Sequence, residues 1–269
     1  MSVKASLAVF FDATRRSCQL VLTLRMTRAE NIPAGFVPAK QIARTGGLAA
    51  VLLTVAAFVA RRASAAEWLL IPAFWVFANF FEWTVHRFPM HRPLVPRMMF
   101  RNHAGIHHGA FSDDNMAMRD SRELWLIMMP WYTILLLLVA ASPVAIIAAW
   151  IGGPPLAGIF YIGALTYFLF YETIHALYHV APARLVRFGI GSHGLFARMR
   201  AHHARHHAPR RMSHVNFNVT VPLADIVFGT REVADADPAQ TDSRVGGAQG
   251  DLTGSGGAVD AMGPGVKPT

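Results

Sequence analysis

Charge disappears from the chain four times for long enough to matter. Residues 46–60 carry none, and residues 68–85 carry only Glu82. Residues 124–150 run uncharged for 27 positions, and residues 151–171 continue without charge through a Gly152-Gly153-Pro154-Pro155 break. A helix needs roughly 20 apolar residues to cross a bilayer core of about 30 Å, so four crossings is the economical count. The first stretch is short, but flanking Arg44, Arg61 and Arg62 can snorkel to the headgroups. Short polar or Gly-Pro turns join the stretches in pairs, 46–60 with 68–85 and 124–150 with 156–179. The expected fold is therefore all-α, a multi-pass membrane bundle of about four transmembrane helices in two antiparallel hairpins. Pro130 and Pro143 are expected inside the third span, kinking it in a way membrane helices tolerate.

Outside the spans the pattern changes. Residues 1–45 form an N-terminal cytosolic or interfacial segment, in which 17–26 suits a surface-lying amphipathic stretch. Its apolar patches are broken by Arg15, Arg16, Arg25 and Arg28, unlike a secretory signal. Residues 46–230 make up the membrane domain, with 182–214 a basic helical cap and 216–230 (NFNVTVPLADIVFGT) an ordered terminal strap. Residues 231–269 turn to Gly, Asp, Ala and Pro without periodicity and are expected to be disordered.

Composition sharpens this reading. A hydrophobic fraction of 53% and a mean hydropathy of +0.33 are high for a soluble domain. The net charge of +9 would suit nucleic acid, but the arginines concentrate before residue 45, in 86–122 and in 184–211. An Arg/Lys excess marks cytoplasmic loops, which puts these three regions on one side of the membrane and argues against nucleic acid. The 22 arginines against 3 lysines, with abundant alanine, suit a GC-rich bacterial genome and hence a bacterial inner membrane. A lone Cys18 excludes an internal disulfide and any cysteine-based metal site.

The chemistry lies in thirteen histidines. Ten fall in four compact groups: His86 and His91; His103, His107 and His108; His175 and His179; His203, His206 and His207. Residues three or four apart share a helix face, so His175 with His179, and His203 with His207, can each grip one ion. An adjacent His-His doublet turns one of its rings about 100° away, toward a second ion. Pro89 is expected to end the helix before His91. One histidine on a helix face is ordinarily a hydrogen-bonded core or surface group. Ten of them, brought to one membrane face by an even number of crossings between residues 109 and 175, point to two metal ions with about five imidazoles each. Glu82, four residues before His86, and Glu172, three before His175, are placed to hydrogen-bond the ligands' outer ring nitrogens. The alternative is a pairing with Arg87 or Arg184.

EWTVHRFPMH, GIHH, YETIHALYH and HHARHH, closing on NFNVTVPLADIVFGT, resemble the fatty acid hydroxylase superfamily, which includes sterol desaturases and fatty-acid 2-hydroxylases. The similarity covers about residues 68–230. It implies a four-helix membrane bundle with a cytosolic cap holding two metal ions, and O₂-dependent hydroxylation or desaturation of a lipid. The ten histidines match the family's metal-binding histidines by position. The second box departs from the usual H-x-x-H-H, since three residues separate His103 from His107-His108. His202 is an alternative to His203 in the last box, and His193 and His214 have no matching role.

The expected activity is thus lipid hydroxylation at a di-iron site, with zinc able to occupy the same donors in isolated protein. A desaturase of the same superfamily is the nearest alternative, and a membrane metal-binding or transport protein the alternative of another class. The spans would form an acyl slot, with Trp83, Trp125, Trp131 and Tyr167 as candidate lining or packing aromatics. No haem- or flavin-binding segment fits between the spans. Electrons are therefore expected from an external donor of ferredoxin, cytochrome b5 or reductase type.

Overall fold

A computed structural model describes residues 28–190 and 194–233, and their regular structure is entirely helical. The expectations for 17–26, for His193 and for the tail beyond 233 lie outside these residues. Helix α1, Pro38–Ala60, opens on a proline at its first turn, where the missing N–H costs nothing. It starts earlier than the uncharged window because Lys40 and Arg44 stand exposed on its first turns. A Ser64–Glu67 capping box starts the next helical run. That run continues through α2, Ile71–Val85, into a π-helical turn, His86–Met90. Pro89 therefore does not end the helix. It sits inside a widened turn that carries the chain on to His91.

Among the described residues three helices are long and apolar enough to cross a membrane: Pro38–Ala60, Ala65–Met90 and Thr133–Tyr178. The last, α3, has 46 residues and would reach about 69 Å if straight. It is not straight. Gly153 has φ 75° and ψ −179°, far from helical values, and the glycine makes that conformation accessible. The Met129 N–H donates to Glu172 Oε2 at 3.1 Å, although the two residues flank almost the whole of α3. Ala141, Ala145 and Ala148 from the first half share one apolar cluster with Leu156, Ile159 and Phe160 from the second. The two halves thus lie side by side. The third apolar stretch does not become helix at 124. Residues Ser121–Leu126 form a 3₁₀ turn and α3 begins at Thr133, because the residue before a proline avoids helical geometry. Pro130 consequently precedes the helix, whereas Pro143 lies inside it.

α1 packs close to the second half of α3. A Cβ on Gly158 would stand 2.7 Å from the Ala60 nitrogen and 2.8 Å from the Ala56 oxygen. Beyond α3 come a short helix, Pro182–Arg187, and helix α4, Gly194–His206. The strap from Asn216 to Ala224 buries Asn216, Phe217, Asn218 and Val219 completely. It is fastened to α2 by Asn79, whose amide donates to the Val221 carbonyl at 2.7 Å and whose oxygen accepts from the Ala224 N–H at 3.0 Å.

Candidate metal centre

The ten histidines singled out above sit at the ends of two apolar helices, at the end of α4, and in the turns between. His86 closes α2, His175 and His179 close α3, and His203, His206 and His207 close α4. His103 and His107 lie in a second π-helical turn, Arg101–His107. All ten are buried. They converge as two groups of five. One group is His86, His91, His103, His108 and His206; the other is His107, His175, His179, His203 and His207. Within each group the candidate ligand atoms lie within 4.8 Å of one another. The groups abut, since the His108 and His207 rings stack at 4.2 Å.

Local geometry explains the sorting. A π turn closes between residues five apart. His103 therefore shares a group with His108 rather than with His107, and His86 shares one with His91. The Nε2 atoms of His103 and His108 are 3.2 Å apart. The extra residue in the second box thus matches a widened helical turn, and His103 faces His86 at 2.7 Å. The doublets His107-His108 and His206-His207 each split between the groups, as one step around a helix requires. His175 with His179 and His203 with His207 stay together.

The outer ring nitrogens show what the inner ones can do. His107 Nδ1 donates to the Leu126 carbonyl at 2.8 Å, and His207 Nδ1 to the Phe111 carbonyl at 2.7 Å. His179 donates to Met116 at 2.8 Å, His206 to Val215 at 2.9 Å, and His86 to the Phe217 carbonyl. A carbonyl only accepts, so each of these rings carries its proton on Nδ1 and presents an Nε2 lone pair. The lone pairs of His107 and His207 face each other at 3.1 Å. Such an arrangement is repulsive unless a cation lies between them. The closest Nε2–Nε2 separations run from 2.7 to 3.4 Å, and no two ligand atoms within a group are more than 4.8 Å apart. Two nitrogens about 2.0–2.1 Å from one ion, at right-angle to tetrahedral spacing, would stand roughly 2.8–3.4 Å apart. The donor set fits a metal ion in each group.

Burial, with added repulsion from neighbouring imidazoles, holds His91, His103, His108, His179, His203 and His207 well below the usual histidine range. Burial lowers His107 to about 3 and His206 to about 4. These rings are neutral at physiological pH, the state a ligand needs.

The two glutamates take other partners than expected. Glu82 accepts from the Val219 N–H at 2.5 Å, the Thr220 N–H at 3.2 Å, the Thr220 hydroxyl at 2.6 Å and the Tyr167 hydroxyl at 2.5 Å. Glu172 accepts from Met129 N–H. Neither bonds a ligand ring, the outer nitrogen of His86 going instead to the Phe217 carbonyl, and neither pairs with an arginine. His202 also stays out of both groups and bonds Asp225 at 3.2 Å, while His214 is exposed. Asp225 is the residue that reading side-chain spacing missed. Burial pushes its carboxyl up, but hydrogen bonds from His202, Thr230 and the Asn218 and Phe217 N–H groups hold it at about 2.

An apolar cleft runs between α2 and both halves of α3, lined by Phe74, Phe77, Leu137, Phe160 and Phe168 and reaching Glu82, His86 and Met90. Tyr167 lines it. Trp83 does not. It donates to Thr230 Oγ1 at 2.9 Å and packs on Phe217 and Phe228. A wider vestibule, edged by Arg44, Arg101, Trp125 and Trp131, meets His103, His107 and His175 and shares Met90, Met129 and Tyr171 with the cleft.

Fold and site together define, among the described residues, a helical protein with three helices long and apolar enough to cross a membrane and two five-histidine groups able to hold metal beside an apolar cleft. The chain belongs to the fatty acid hydroxylase family, whose profile matches residues 71–230. No curated protein shows significant similarity to it. Among solved structures it is similar in fold to full-length Scs7p, in which only the hydroxylase domain is visible. The TM-score is 0.52 at 16% identity, over 73% of this chain and 68% of that one.

Proposed function

We propose that this protein is a membrane-embedded lipid hydroxylase that uses O₂ and two metal ions, one in each five-histidine group, with iron as the working metal. The observation that carries the reading is the contact between the centre and the cleft. His86, a member of one group, lines the same apolar cavity as Phe77, Phe81 and Phe168. When bound, redox-active metal would supply the O₂ activation that attack on an aliphatic C–H bond demands, since side-chain acids and bases cannot perform it.

The chain's own residues do the rest. Phenylalanines and leucines of the cleft take up an acyl chain and exclude water from the reacting carbon. Carbonyls of Phe111, Met116, Leu126, Val215 and Phe217 fix the histidine tautomers so that the Nε2 lone pairs point inward. Trp125 and Trp131 at the vestibule suit the bilayer interface. The fold-back at Gly153 supports counting α3 as two crossings, four in all. The arginine distribution supports placing the centre on the cytoplasmic side, where an external electron donor protein can reach it. A transporter would place its ligands near the bilayer midplane, whereas these cluster at helix ends and in the cap.

Lipid mass spectrometry of cells with and without the gene tests the proposal. A product gaining one oxygen, lost in His175→Ala, is expected. A product lacking two hydrogens would make the enzyme a desaturase. An unchanged lipid profile, with purified iron-loaded protein consuming no O₂ in the presence of lipid and reductant, would overturn the reading.

A further inference from the structure

We infer that Arg28, ahead of the first membrane helix and outside the span matched to the family, is a positioning residue for one of the two metal sites. The inference rests on the metal-binding reading above and deepens it. Its guanidinium is buried, at 8% exposure, and is almost saturated with acceptors. Nε donates to the Ala110 carbonyl at 2.7 Å, Nη2 to Asn115 at 2.7 Å, and Nη1 to Ala117 at 3.0 Å and to Glu123 Oε2 at 2.8 Å. The same group lies over the Phe111 ring at 4.3 Å. Three of these partners are the carbonyls of Ala110, which ends the short helix His108–Ala110, and of Asn115 and Ala117 in the irregular loop that follows it.

That loop and the turn after it hold one metal group and not the other. Phe111 and Met116 supply the carbonyls that accept from His207 and His179, and the Met118 N–H returns to the His179 carbonyl at 2.7 Å. Leu126, which accepts from His107, ends the 3₁₀ turn that contains Glu123. Thus three rings of the His107 group are oriented by residues 111–126, the segment Arg28 pins. The outer nitrogens of the other group that find carbonyls find them at Val215, just before the strap, and at Phe217 within it. The N-terminal segment is locked down reciprocally. Arg122 donates to the Pro33 and Ala34 carbonyls at 3.1 and 3.2 Å, and Phe36 meets Trp125 edge to face at 5.2 Å.

A guanidinium is needed because its planar fork can reach several carbonyls and a carboxylate at once. Lysine carries the charge but not the fork. Removing Arg28 should leave the histidines in place and let the carbonyls of residues 110–117 drift, which frees the tautomers of His179 and His207.

The test is iron stoichiometry of full-length protein in detergent, measured by elemental analysis after a graded chelator challenge. Wild type should retain two ions per chain. Arg28→Ala should lose one ion at a chelator concentration 10–100-fold lower, the usual range for such outer partners, while the second is held as in wild type. Arg28→Lys should fall between them. Phe36→Ala, which loosens the same segment without touching the loop carbonyls, should retain both ions and controls for general loosening. Retention of both ions by Arg28→Ala, or equal loss of both, would overturn the inference. If Arg28→Ala does not fold, Arg28→Lys decides on the same readout. A wild-type protein that binds no metal would instead refute the proposed function.

Discussion

Asp225→Asn is the change that separates the strap's contribution to the centre from everything else. The Asp225 carboxylate is fully buried and accepts four hydrogen bonds. Oδ1 takes the Phe217 N–H at 2.9 Å and the Thr230 hydroxyl at 2.7 Å; Oδ2 takes the Asn218 N–H at 2.8 Å and His202 at 3.2 Å. An amide has one acceptor. Whichever way it is oriented, its NH₂ confronts a backbone N–H, and that buried donor is left unsatisfied at a cost of about 1–3 kcal/mol. The titration gives a second measure. The carboxyl is held at about 2 against an ordinary 3.8, and a shift of roughly two units corresponds to about 2.5 kcal/mol. The two figures overlap, so about 2–3 kcal/mol of destabilisation is expected.

The sign follows from the lowered value. The stabilisation is fully present above the 3.8 of an ordinary aspartate and is lost as pH falls toward 2. Metal-free Asp225→Asn should therefore be less stable than wild type near neutrality, and the gap should close in that acid window. The strap and the residue just before it carry the Phe217 and Val215 carbonyls that orient His86 and His206. The variant should accordingly release the ion of the His86 group more readily by about 10–100-fold and keep the other. Thermal unfolding against pH and chelator-challenged iron content measure both effects. Wild-type stability together with retention of both ions would refute the reasoning, as would a loss shared equally between the sites.

The neighbouring residues His107 and His108 belong to different groups. Alanine at either should cost one ion, but the double variant should lose both, as elemental analysis of the three proteins would show. Gly158→Val should disrupt the packing of α1 on α3, because its Cβ would stand 2.7 Å from the Ala60 backbone nitrogen. A marked drop in unfolding temperature and folded yield in detergent is expected, and a well-folded variant would contradict the close approach. Glu172→Gln keeps an acceptor for the Met129 N–H, and Glu172 bonds no ligand ring. Its iron content should match wild type within about twofold, well short of the 10–100-fold loss typical of a group that bonds a metal-bound histidine.

What could be read from the chain, and what could not, follows from where information resides. Side-chain identity and spacing were enough to gather the ten histidines, because metal ligation needs particular ring types at particular helical intervals. They also indicated that each doublet splits, but not that His103 would pair with His108, which the π turn decides. The acceptors of the outer ring nitrogens were not legible, since Phe111, Met116, Leu126, Val215 and Phe217 act through carbonyls that every residue possesses. Glu82 and Glu172 were assigned that task because a carboxylate one helical turn from a histidine is well placed on an ideal helix. The helix is not ideal there. α2 passes into a π turn at His86, and the ring reaches the strap while Glu82 reaches the Val219 and Thr220 backbone. The same widened geometry makes sense of Pro89 and of the extra residue after His103, both of which conflict with regular α-helical spacing. Hydrophobic pattern located the apolar stretches but misplaced the start of α3 by nine residues, from 124 to 133. An uncharged run does not distinguish helix from the Leu126–Tyr132 approach that the backbone around Pro130 must take. That approach has a use. It sets the Leu126 carbonyl against His107 and the Met129 N–H against Glu172, so the apolar residues ahead of α3 serve the histidine groups through their backbone.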